Sequence, residues 1–164
     1  MVITQLIHTT VDKLREVIPT LHAGDKVLLS GTVYTARDAA HKRLMAALDN
    51  GEETPFPLTD AVIYYSGATP APDGMPIGSC GPTTSCRMDP YTPRLYDLGV
   101  CATIGKGQRD AATVAAICRN HGVYLCAIGG AGALAARSVR QLTTTPSTFL
   151  NLSGVPPSVS ALPS

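Results

Sequence analysis

The sequence holds no tryptophan and only two phenylalanines in 164 residues. Stacking platforms for nucleic-acid bases are therefore scarce. Charge is scarce as well: 15% of the residues are Asp, Glu, Lys or Arg, and the net charge is +1. Such a chain sets up no field to draw in nucleic acid or an anionic membrane. No stretch approaches the roughly 18 apolar residues of a membrane span. The opening "MVITQLIHTT" lacks the basic start and long apolar run of a secretory signal, and none is expected. The five cysteines are odd in number and follow no disulfide framework. Reduced thiols in the cytosol or an organellar matrix follow, and a cytoplasmic setting is expected.

The low charge has two readings. A partner could cover part of the surface, or the surface could be rich in Ser, Thr and Gly. The length fits one domain, able to bury roughly 70% of the surface its unfolded chain exposes. Such a domain needs neither disulfide nor metal to fold.

Along the chain, "TTVDKLREVI" carries apolar residues at helical spacing, and Pro19 ends it. "GDKVLLSGTVY" reads as one strand running into the helix "TARDAAHKRLMAALDNG". Thr35 with Asp38 three residues later resembles a capping box, and Gly51 supplies a stop. "DAVIYYSG", "VCATIG" and "VYLCAIGG" read as strands. "TPRLYDLG", with Pro93 in its first turn, "RDAATVAAICRNHG" and "AGALAARSVRQL" read as helices. Strands alternate with helices, so the class is α/β. Functional loops are then expected at strand C-terminal ends. Residues 142–164 carry no charge and are dense in Ser, Thr and Pro. They lack the periodicity of a packed element, and a loosely ordered tail is expected.

One stretch concentrates the chemistry: "GSCGPTTSCRMDPY", residues 78–91. It could be half of a metal site, a nucleophile loop or a cradle for an anion. Cys80 and Cys86 lack the spacing of a short ligand pair. Cys101, Cys118 and Cys126 fall on predicted strands and a helix, where cysteine usually packs as core. His8, His22, His41 and His121 are scattered. No metal ligand set emerges. Ser79, Thr83 and Ser85 have no base assigned to them, and there is no G-x-S-x-G elbow. The anion reading is stronger, because "GPTTS" offers hydroxyls and backbone N–H groups and Arg87 follows at once. A guanidinium binds a carboxylate as a two-pronged fork. Arg37 opens a helix, where the dipole disfavours a cation. Lys106 lies between two glycines at another strand end. Each alone could be a solvated charge; three at strand-end loops suggest a shared anionic ligand. "IGGAGALAA" lacks a phosphate-loop pattern and suits close packing of helix on strand.

Together, "LSGTVYTARDAAHKRL", "VIYYSGATPAPDGMPIGSCGPTTSCRMDPYTPRL", "IGKGQR" and "VYLCAIGGAGALAA" resemble the β subunit, or C-terminal domain, of iron–sulfur class I fumarate hydratases. The match covers about residues 20 to 140. The related L(+)-tartrate dehydratase β subunit shares "GPTTS" and "GKG".

The resemblance implies a swivelling β/β/α domain, like the mobile domain of aconitases, over residues 1–141. It implies a hetero-oligomer whose α subunit, not this chain, holds a [4Fe-4S] cluster on its own three cysteines. The open iron there acts as a Lewis acid. The implied reaction is the reversible hydration of fumarate to (S)-malate, a step of the tricarboxylic acid cycle. The chain alone is expected to be inactive. Arg37, Arg87 and Lys106 match substrate-binding residues. Thr83 matches the residue proposed as base, with substrate orientation as its other role. Asp38, His41 and Thr84 match supporting positions: a helix cap for Asp38, an outer hydrogen bond for His41. The uncharged tail departs from the family's acidic, aromatic continuation. A non-catalytic carboxylate-binding or assembly module is the reading from a different class.

Overall fold

A computed structural model describes residues 5–127, 130, 132–144, 150–153 and 159–161. The chain folds as a mixed α/β structure. Four strands form its parallel centre: β3 (Thr32–Thr35), β4 (Val62–Tyr64), β5 (Ala102–Gly105) and β6 (Val123–Ala127). Helices join them in turn: α2 (Asp38–Asp49), then α3 (Thr92–Asp97), then α4 (Ala111–Arg119). The strands are added in chain order, and crossovers of one hand place such helices on one face.

Alternation along each strand feeds two cores. Val62, Tyr64, Ala102, Ile104, Val123 and Leu125 point to one core. Ile63 and Tyr65 point the other way, against Ala40 and Leu44 of α2 and Leu95 of α3. Tyr124 does likewise, against Ala116 and Ile117 of α4.

The face away from the helices is closed by more chain. β1 (Leu6–Thr10) and β2 (Lys26–Ser30) pair in parallel, and Val27 and Leu29 enter the first core. Leu14 of α1 (Leu14–Val17) joins them, as does Ala136 of α5 (Gly132–Ser138). Among the described residues the sheet order is β1-β2-β9-β6-β5-β4-β3-β8-β7, with β7 (Gln141–Thr144), β8 (Leu150–Ser153) and β9 (Val159–Ala161) running antiparallel to their neighbours. Gly31 alone joins β2 to β3, yet four strands separate them in that order. Two peptide units span at most about 7.6 Å. Five steps across a flat sheet would need about 24 Å. The sheet therefore curls back on itself.

Several sequence expectations change here. "GDKVLLSGTVY" is two strands, because Gly31 takes a φ of 122° that reverses the local path. The N-terminal helix is shorter than its pattern, since Thr9 and Thr10 belong to β1 and Val11–Lys13 form a 3-10 turn. The capping box does not form: Arg37 is the N-cap of α2, and no side chain caps it. The helix with Pro93 in its first turn and the helix α4 form as read, and the structure adds Asp110 as the N-cap of α4, its side chain accepting from the Thr113 N–H. Residues 142–164 are not without elements, since β8, β9 and most of β7 lie there. Residues 128, 129 and 131 of the glycine-rich stretch, and 145–149, 154–158 and 162–164 of the tail, lie outside the described residues.

Candidate carboxylate-binding site

Because β3, β4 and β5 are parallel, their C-terminal ends share one edge. Arg37 lies two residues past β3, Gly67 three past β4 and Lys106 one past β5. The GPTTS loop is wedged into this edge. The Thr83 N–H donates to the Tyr65 carbonyl at 2.6 Å, and the Lys106 N–H to the Thr83 carbonyl at 3.3 Å. The Ser85 N–H returns to the Lys106 carbonyl at 2.9 Å. Ser66 bridges Pro82, and Thr84 bridges Lys106. The loop thus acts as a short extra strand between the parting ends of β4 and β5, and it sets Thr83 next to Lys106. Thr83 is half-buried, while Thr84, Lys106 and Arg37 are exposed. Among the described residues, the Lys106 ammonium has no hydrogen-bond or ion-pair partner.

Arg37 lies flat on Gly67. A Cβ at Gly67 would sit 2.9 Å from both Cδ and Nη1 of Arg37. Below it, His41 is fully buried. Its Nδ1 lies 3.0 Å from the Arg37 carbonyl, and its ring contacts Tyr65 and Tyr91. Nδ1 must donate to that carbonyl, so Nε2 carries a lone pair, and no described atom bonds it. Burial lowers the His41 pKa from its usual value. The hydrogen bond that His41 makes therefore goes to the Arg37 backbone.

Asp38 is not a cap. Its carboxylate takes two bonds from Arg87, Nε to Oδ1 at 3.1 Å and Nη2 to Oδ2 at 2.9 Å. Arg87 therefore turns toward α2. It stands in the last turn of a 3-10 helix, Ser85–Met88, tied to the start of α2.

The cysteines divide. Cys80 is buried, its sulfur 3.2 Å from Ser66 Oγ, and burial pushes its thiol pKa up. Cys101 is buried too and is pushed up to about 11 by burial. Cys86 is exposed. Cys118 is exposed rather than core, because α4 turns that face to solvent. Among the described residues, no three His, Cys, Asp or Glu side chains group to hold a metal. The glycine-rich helix packs closely both on strands, through Ala136 in the first core, and on the loop: the Cys80 N–H donates to the Gly132 carbonyl, and a Cβ at Gly132 would strike Ser79 and Gly81.

Sequence reading missed Arg109. Its side chain is 2% exposed, and it pairs with Asp89 at 2.6 Å. It also donates to Tyr65, Thr92 and Thr103, and its guanidinium lies over the Tyr65 and Tyr124 rings. Burial opposes its charge, yet Tyr65 and Asp89 outweigh that and raise its pKa. The arginine ends "GKGQR", but nothing in that string separates a buried arginine from a surface one.

Fold and edge together define a mixed α/β protein with cations and hydroxyls gathered at the ends of parallel strands. The chain belongs to the Fumarase C-terminus family, whose pattern matches residues 3–151. It is 38% identical over 135 residues to "Fumarate hydratase 2" of Leishmania major, covering 81% of this chain and 24% of that protein. It is 40% identical over 119 residues to "Fumarate hydratase class I, aerobic" of Escherichia coli (strain K12), covering 71% and 22%. The chain thus spans about a quarter of these relatives. A third relative, of Methanocaldococcus jannaschii, is named "Putative L(+)-tartrate dehydratase subunit beta"; it is 36% identical over 142 residues, covering 85% and 72%.

Proposed function

We propose that this chain is the dicarboxylate-binding subunit of a class I fumarate hydratase, a hydro-lyase interconverting fumarate and (S)-malate. The observation that carries this reading is the wedged GPTTS loop, which puts Thr83 beside Lys106 on the edge that bears Arg37. Two negative carboxylates need cations at separate points. Lys106 and Arg37 supply two, and Arg87 a third, with its fork already steadied by Asp38. His41 fixes the backbone from which Arg37 extends, and Thr84 flanks Lys106.

Dehydration of malate removes a proton from one carbon and hydroxide from the next. Thr83 is assigned to the carbon that loses its proton. A threonine alkoxide is very unfavourable at neutral pH, so a proton passing Thr83 needs an acceptor beyond it, such as a substrate carboxylate. Without one, the hydroxyl only orients the substrate.

The described residues do not fit an iron–sulfur cluster: Cys80 is buried and hydrogen-bonded, and no ligand set forms. The reading keeps the [4Fe-4S] cluster on an α partner, in a cytoplasmic hetero-oligomer, as the family resemblance implies. The parallel strands with α2, α3 and α4 on one face support a swivelling β/β/α domain over residues 1–141; 142–164 is read as an atypical tail that adds β8 and β9 to the sheet. No helix among the described residues is long and apolar enough to cross a membrane.

L(+)-tartrate dehydratase is the second reading, favoured by the 72% coverage of the tartrate-named relative. The test is anaerobic co-expression with a cluster-bearing class I fumarase α subunit, followed by parallel assays on malate and L(+)-tartrate. Turnover of malate supports the first reading. Turnover of tartrate alone replaces it with the second.

A further inference from the structure

We propose that Tyr124 is a positioning residue whose hydroxyl latches the GPTTS loop to the GKG loop and so fixes Thr83 relative to Lys106. The effect on turnover rests on the hydro-lyase reading; the latch itself does not.

Tyr124 lies on β6, beside β5, on the helix-covered face. Its hydroxyl is 2.8 Å from Ser85 Oγ and donates to the Gly107 carbonyl at 2.9 Å. A phenol has one proton. With that proton on Gly107, Ser85 must donate to Tyr124. The chain of bonds therefore has one direction, from Ser85 through Tyr124 to Gly107. Both loops that carry the proposed site end on this one oxygen. Burial pushes the Tyr124 pKa up to about 12, so the proton stays in place at neutral pH.

Two glycines make the latch possible. A Cβ at Gly105 would collide with Ser85 Oγ, so only glycine lets the serine reach under the loop. Gly107 has a φ of 83°, a left-handed conformation in which a side chain is strained. Arg109 backs the device from the other side, with Cζ 4.9 Å from the Tyr124 ring centroid and its position set by Asp89. Ser85 and Tyr124 are both buried, so water cannot readily replace either bond.

Tyr124→Phe removes the hydroxyl and keeps the ring over Arg109. Hydrogen exchange on the full chain reads the latch through two amides, Ser85 and Lys106. Both are expected to exchange about tenfold faster or more once the loops open locally, with the melting temperature within a few degrees of wild type. In the assembled complex, kcat is expected to fall about tenfold, the scale of loss for small misplacement of reacting groups. Ser85→Ala should reproduce both effects, and the double variant should be no worse than either single one, because one unit is broken only once. Ser85→Ala also stands in if Tyr124→Phe folds poorly.

Unchanged exchange at both amides would overturn the latch. Faster exchange with full kcat would overturn its positioning role. Faster exchange in a chain whose wild-type complex turns over no dicarboxylate would uphold the latch and remove the hydro-lyase reading instead.

Discussion

Arg87 and Asp38 are joined by a two-bond fork that ties the GPTTS loop to the first turn of α2. The pair lies at the surface, with the arginine side chain 51% exposed. Exposed pairs contribute about 0–1 kcal/mol to folding. The geometry of the fork is therefore worth more as orientation of Arg87 than as stability.

Replacement of Asp38 by Asn should accordingly leave the melting temperature within a few degrees of wild type. Turnover by the assembled complex should fall, because Arg87 loses its steadying carboxylate. Arg87→Ala should reduce turnover far more, with the fold intact. Circular dichroism melts and malate assays on the same preparations check both. Full activity in Arg87→Ala would take Arg87 out of the site.

Gly67 gives access to Arg37 without touching it chemically. An added methyl would press on Cδ and Nη1 at 2.9 Å, and the flexible end of the arginine can yield. Gly67→Ala should therefore fold well but raise KM for malate several-fold, about 1 kcal/mol of lost binding. An unchanged KM would mean that the position of Arg37 is immaterial.

Much of this was legible in the sequence, and the failures have physical causes. The parallel β–α alternation showed because β4 and β5 are buried on both faces and read as continuous apolar runs. Arg37, Arg87 and Lys106 stand out as cations at strand-end loops, and Thr83 only through the family resemblance. Their partners do not. Asp38 looked like a cap because spacing along the chain cannot see Arg87, 49 residues away. Arg109 stayed hidden for the same reason: its burial depends on Asp89, Tyr65 and Tyr124, which come from separate segments. Gly31 passed as a strand residue because its sharp turn leaves no mark on the apolar pattern.

The Arg109–Asp89 pair should behave as a buried one. Removing one partner leaves the other charge buried and uncompensated, a loss of about 3–5 kcal/mol. Asp89→Asn and Arg109→Met should each show this in urea denaturation. Arg109→Lys should not restore the stability, because an ammonium cannot match the guanidinium's bonds to Asp89, Tyr65, Thr92 and Thr103. A loss under about 1 kcal/mol in both single variants would contradict the buried pairing.

His41 should make stability depend on pH. Burial lowers its pKa below the ordinary 6.5; the Arg37 carbonyl and Asp38 act against this, and Arg109 adds to it. The rings of Tyr65 and Tyr91 face the imidazole. The unfolded chain therefore takes up a proton near pH 6.5, while the folded chain does so only at lower pH. Between the two values the unfolded state binds more protons, so stability falls as pH drops below about 6.5. An NMR titration of the imidazole should place its pKa below 6.5, and a value at or above 6.5 would refute this account of the pocket.

The central claim is that this chain supplies the dicarboxylate-binding cations of a hydro-lyase whose cluster lies elsewhere. Its most direct test is malate dehydration by the anaerobically assembled complex, with wild-type chain and with Lys106→Met. The account predicts turnover by the wild-type complex, none by the chain alone, and a loss of about 100-fold or more in kcat/KM for Lys106→Met at equal subunit and cluster content. A wild-type complex with an intact cluster and no turnover, or a Lys106→Met complex as active as wild type, would contradict it.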